Sequence, residues 1–124
     1  MFSERLLEHF QNPRNVGELP EPAVVIEVEN PACGDVLRLS ALIENGRVVQ
    51  ARYKVRGCTA SIGCGSALTE MLRGIAVEEL PAVDASRVAF AVGGLAAESQ
   101  HAAVLCADAA DALHARVQTI ASRR

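Results

Sequence analysis

The chain has 124 residues and a formal net charge of −3; half of it is hydrophobic but only 3% is aromatic. That is enough for one domain, residues 1–124, with a core of Ala, Val, Leu and Ile that needs no staples. No basic cluster exceeds Arg123-Arg124 and no apolar run approaches a membrane span, so nucleic-acid and membrane partners are not expected.

The start, Met1-Phe2-Ser3-Glu4-Arg5-Leu6, carries charge where a secretory leader has its apolar stretch, which predicts a cytoplasmic protein. Phe2, Leu6 and Phe10 recur every four residues among charged neighbours, predicting a short amphipathic helix capped by Ser3 and ended by Asn12-Pro13. Residues 15–22 have turn composition. Alternation predicts a first strand over Val24–Glu29 and a second with Leu37, Leu39, Ala41 and Ile43 on one face. The loop Asn30-Pro31-Ala32-Cys33-Gly34-Asp35 lies between them.

The third strand contains Tyr53 and Val55 and is reached through Glu44-Asn45-Gly46. A two-residue Asn45-Gly46 turn in simple register would set Leu37 and Leu39 opposite Lys54 and Arg52, mixing the faces. A three-residue loop pairs Leu37 with Tyr53 and Leu39 with Ala51, and is the expected form. The chain then turns near Gly57 into a helix over Ala60–Arg73, with Cys64, Leu68, Met71 and Ile75 at helical spacing. Gly74 breaks it. A short turn at Glu78–Pro81, a brief helix capped by Asp84 that runs through Val92 and is stopped by Gly93-Gly94, and a long helix from about Gln100 to Ile120 complete the chain. Ala102, Cys106, Ala109, Leu113, Val117 and Ile120 share one face of that last helix. The fold class is α+β: three antiparallel strands covered by helices on one face.

Four cysteines in a reducing compartment point to metal or thiol chemistry rather than disulfides, and no CxxC pair is present. Antiparallel pairing of the second and third strands places the Cys33–Asp35 loop beside Gly57-Cys58. Two thiols and a carboxylate at one sheet end suit a soft metal or an iron–sulfur unit. Cys58 stands where unpaired N–H groups at a helix start favour negative charge. Cys64, on the apolar face, is expected in the core.

These residues carry a resemblance. His9-Phe10-Gln11-Asn12-Pro13-Arg14-Asn15-Val16-Gly17, Pro31-Ala32-Cys33-Gly34-Asp35, and Gly57-Cys58 followed by Thr69-Glu70 resemble the motifs of the IscU/NifU-like iron–sulfur cluster assembly scaffolds. The resemblance implies a scaffold or carrier, not an enzyme. Such a protein accepts sulfur from a cysteine desulfurase, builds a labile [2Fe–2S] cluster and passes it to recipient apoproteins. By position, Cys33 and Cys58 would be cluster ligands or persulfide acceptors, and Asp35 the residue that keeps the cluster labile.

The sequence departs from that family twice. A His-Cys pair is usual near the start of the last helix; here it reads His101-Ala102, and Cys106 follows one turn later. Cys106 is therefore expected as the displaced third ligand, with His101 as the rival donor; inside a helix the two lie about 140° apart, too far round to share one metal easily. Leu95-Ala96-Ala97-Glu98-Ser99 replaces the family's Leu-Pro-Pro-Val-Lys segment, so docking to the dedicated ATP-driven chaperone is not expected. His9 and His114 read as helix-surface residues. Iron is the expected metal, with zinc as the alternative in the isolated protein. The rival functions are a zinc-dependent sulfur-accepting, SufU-like partner of a desulfurase and a metal-free thiol redox protein using Cys58.

Overall fold

The computed structural model describes residues 2–122; Met1 and the basic pair Arg123-Arg124 lie outside them. The sheet is a meander of β1 (Val24–Glu29), β2 (Val36–Glu44) and β3 (Arg47–Arg56), antiparallel throughout. Three apolar ladders cross one face: Val28–Leu37–Val55, Ile26–Leu39–Tyr53 and Val24–Ala41–Ala51. The opposite face carries Glu27–Arg38–Lys54 and is tied to the preceding loop by Arg38, whose Nε donates to Glu18 at 2.6 Å.

The β2–β3 hairpin corrects the three-residue loop expected above. The turn is Asn45-Gly46, both at positive φ (54° and 74°), with Glu44 paired to Arg47. Ile43 pairs with Val48 but Leu42 pairs with Gln50, so Val49 is an extra residue in β3. This bulge shifts the register by one and restores the match of apolar faces, the task assigned to a longer loop.

α1 (Glu4–Gln11) is capped by Ser3, whose hydroxyl accepts from the Leu6 N–H at 3.0 Å. Of the predicted apolar stripe only Leu6 enters the core; Phe2 and Phe10 remain 39% and 36% exposed. Leu6 fits a hollow left by Gly63, where a Cβ would come within 2.5 Å of Leu6 Cδ1. Residues 15–22 are a loop, yet Val16 bridges Tyr53 in parallel and Leu19 N–H donates to the buried Ser40 hydroxyl at 2.9 Å. The outer edge of β3 is thereby covered rather than left open to another strand.

α2 (Thr59–Leu72) is the centre of the packing, touching α1, β3, α3 (Ala85–Ala91) and α4 (Gln100–Ser122). It is buried almost all round, from Ala60 and Ser61 through Thr69 and Leu72, so a single apolar face understates it. Met71 is only partly buried and Ile75 lies beyond the helix. Short 3-10 turns at Val77–Ala82 and Ala97–Ser99 precede α3 and α4. Ala102, Cys106, Ala109 and Leu113 of α4 are fully buried, whereas Ile120 is 38% exposed. No helix of the described residues is long and apolar enough to cross a membrane.

Candidate metal centre

The loop before β2 is closed by its own first residue. Asn30 Oδ1 accepts from the Ala32 N–H at 2.9 Å, its carbonyl accepts from Gly34 at 2.7 Å, and its N–H donates to the Asp35 carbonyl at 2.9 Å. Gly34, at φ +78°, makes the reversal without the steric cost a side chain would bring. Cys33 is left exposed at the tip while Asp35 turns inward and is 8% exposed.

Across the ladder Val36 pairs with Arg56, which brings Gly57 against Asp35. A Cβ on Gly57 would stand 2.5 Å from Asp35 Cγ, so the approach requires glycine. Cys58 is the N-cap of α2 and makes no side-chain cap. Asp35 reaches the helix start from the other loop: its Oδ2 accepts from the Cys58 N–H at 3.3 Å and from the Ser61 hydroxyl at 2.6 Å. Burial alone would raise the Asp35 carboxyl; the bond from Ser61, then those from Cys58 and Cys33, outweigh it and hold it below the ordinary carboxylate range.

The third side of the site comes from the first turn of α4. His101 Nδ1 lies 3.1 Å from the Glu98 carbonyl, which can only accept, so that nitrogen carries a proton and Nε2 is the available donor atom. Nε2 is 3.4 Å from Cys58 Sγ and 3.7 Å from Asp35 Oδ2. Ligand atoms of Cys33, Asp35 and His101 all lie within 4.8 Å of one another, with Cys58 beside them. A thiol, an imidazole and a carboxylate this close form a donor set that fits iron or zinc.

The structure does not bring Cys106 to this group. α4 begins at Gln100, placing His101 at the mouth and Cys106 one turn deeper, fully buried in the core. Burial, with the neighbouring Cys64, pushes its thiol well above the usual range. Cys64 is likewise fully buried, and burial raises its thiol to about 12. Cys106 does not take the place of a third ligand displaced by one turn, because it shares with Ala102 a face that packs inward, while His101 lies on another side.

Sequence reasoning passed over Ser61 and Glu98. Ser61 stands at the third position of the helix that Cys58 caps, where a polar side chain reaches back to the helix start, and that spacing was the available signal. His9 also differs from its surface reading. Its Nδ1 is 2.7 Å from Ser66 Oγ and 3.3 Å from Arg14, and Nε2 is 3.6 Å from Glu70 Oε1. It therefore ties the His9–Gly17 motif to Thr69-Glu70, aided by the Asn15 amide donating to Thr69 Oγ1 at 3.1 Å.

Residues 1–123 match the family described as the NifU-like N terminal domain. The chain is 38% identical over 109 residues to the iron-sulfur cluster assembly scaffold protein IscU 1 of Archaeoglobus fulgidus, covering 88% of this chain and 71% of that protein. It is 36% identical over 119 residues to the nitrogen fixation protein NifU of a Nostoc species, covering 90% of this chain and 40% of the other. The crystal structure of a nitrogen-fixing NifU-like protein (N-terminal) from Brucella abortus shares the fold, with a TM-score of 0.74 at 21% identity over 98% of this chain and 95% of that one. With its three strands, its helical layer and its sequence all in agreement, the chain belongs to the family of NifU-like N-terminal domains.

Proposed function

We propose that this protein is a scaffold and carrier for iron–sulfur cluster assembly in the cytoplasm, acting as a single domain rather than as an enzyme. The observation that carries the reading is the group of Cys33, Asp35 and His101 within 4.8 Å, with Cys58 alongside. Cys33 and Cys58 would hold the cluster iron through thiolates, His101 through Nε2, and Asp35 through a carboxylate oxygen. The cluster is cargo, supplied as iron and as sulfur from a cysteine desulfurase and handed to recipient apoproteins. Soft thiolates favour the iron; a hard carboxylate is a poorer match and keeps the grip reversible. The exposed Cys33 and Cys58 are open to incoming sulfur and to a recipient.

Scaffold names among the relatives favour this reading over a zinc-dependent sulfur acceptor. Cys58 stands among metal-type donors, which disfavours a metal-free redox thiol. Anaerobic reconstitution with iron and sulfide tests the proposal. Iron and acid-labile sulfide in equal amounts, transferable to an apo-ferredoxin, are expected. One firmly held zinc that resists replacement, with persulfide uptake and no cluster, would favour the sulfur-acceptor reading. Asp35→Ala is expected to make the reconstituted cluster longer-lived, and faster loss would remove the labilising role of that residue.

A further inference from the structure

We infer that Ser61 is the positioning residue of this site: its hydroxyl holds the Asp35 carboxylate in place beside Cys58 and His101. The inference rests on the reading of Asp35 as a ligand. Ser61 is fully buried in the first turn of α2, and its hydroxyl makes both of its contacts at the site. It donates to Asp35 Oδ2 at 2.6 Å and accepts from Cys58 Sγ at 3.5 Å. The first is short and charge-assisted, the class that holds geometry most firmly. The Cys58 N–H takes the same oxygen at 3.3 Å, and Gly57 packs against the carboxylate from the side, where a Cβ would reach to 2.5 Å of Cγ. The same oxygen lies 3.7 Å from His101 Nε2, so the bond from Ser61 fixes the side of the carboxylate that faces the other candidate ligands.

A helix-capping role does not account for this arrangement. The Ser61 hydroxyl meets no backbone amide of α2; its two partners are the Asp35 carboxylate and the Cys58 thiol. Ser61 touches two ligand residues and is too enclosed to bind a metal itself. Its effect must pass through Asp35.

Cobalt(II) is the probe, because its visible absorption reports ligand number and geometry as well as affinity. Ser61→Ala is expected to retain the parent's far-ultraviolet circular dichroism, to bind cobalt(II) about 10- to 100-fold more weakly, as is usual when a ligand's supporting partner is lost, and to show altered visible bands. In an Asp35→Ala background the same change is expected to have no further effect on affinity or spectrum. Ser61→Ala that matches the parent in both readouts overturns the inference, as does an equal loss with and without Asp35. An Asp35→Ala single variant indistinguishable from the parent would instead overturn the ligand reading beneath it, a pattern separate from the other two.

Discussion

His101 Nε2 stands 3.4 Å from Cys58 Sγ, although one residue lies in the first turn of α4 and the other caps α2. The Glu98 carbonyl holds the opposite ring nitrogen, so the imidazole is aimed rather than free to turn. His101→Ala is expected to weaken zinc or cobalt binding by about 10- to 100-fold, the usual cost of disturbing a metal site. Cys106→Ser, in contrast, should leave binding near the parent's value and lower stability, because it buries a hydroxyl in an apolar setting. Competitive titration against a chromophoric chelator measures both. Weak binding by Cys106→Ser with parental binding by His101→Ala would reverse the assignment.

The four thiols should divide into two reactive and two silent. Cys33 and Cys58 are exposed, whereas Cys64 and Cys106 are buried and their thiols are raised by that burial, Cys64 to about 12. An aromatic disulfide reagent at pH 8 is expected to titrate two groups in the native protein and four in denaturant. A third rapid thiol without denaturant would show that the core opens around α4.

Gly65 sets two effects against each other. Alanine gains about 1 kcal/mol of helix propensity over glycine. Here, however, a Cβ would fall 2.5 Å from the Tyr53 ring and 3.3 Å from Leu37. The ring cannot easily yield, since it is buried and its hydroxyl donates to the Ile62 carbonyl at 2.7 Å. Overpacking of about 1–3 kcal/mol should win, so Gly65→Ala lowers the urea midpoint. A raised midpoint would mean that the ring is more mobile than its contacts imply.

Acid should loosen the N-terminal motif through His9. Burial first, and then Arg14, lowers its pKa from the ordinary 6.5, with Glu70 and Glu8 opposing. Arg14 cannot accept a hydrogen bond, so Nδ1 is the acceptor in the folded state and the proton is on Nε2. As pH falls through 6.5 the unfolded chain binds a proton that folded His9 resists, and stability declines until the folded pKa is passed. The slope from this residue is at most about 1.4 kcal/mol per pH unit. Denaturation midpoints between pH 7.5 and 5 should fall with acid in the parent and fall less in His9→Gln; identical slopes would remove His9 as the cause.

The strands and helix starts were legible because they depend on neighbouring residues. The alternation of Val24–Glu29, the Ser3 and Asp84 caps, and the glycine stops all appear where local chemistry puts them. What depended on distant partners was not. The Val49 bulge reconciles a turn preference with a face preference, and the sequence offers no local mark for it. Cys106 and His101 were rivals on spacing alone, and helix rotation against a packed core separates them. Phe2 and Phe10 match the period of Leu6 but have no glycine hollow to enter.

The bulge at Val49 lies at the far end of the hairpin from the candidate metal ligands, yet it sets their alignment. Every rung from Leu42–Gln50 to Val36–Arg56 inherits its offset, and the last of these decides that Gly57, with no side chain, meets Asp35. Regular pairing of Val49 with Leu42, in place of the bulge, would act like a frameshift in space. It would slide β3 by one rung, present Lys54 and Arg56 to the interior, and set a different residue against the carboxylate, leaving every candidate ligand in the sequence and none in its place.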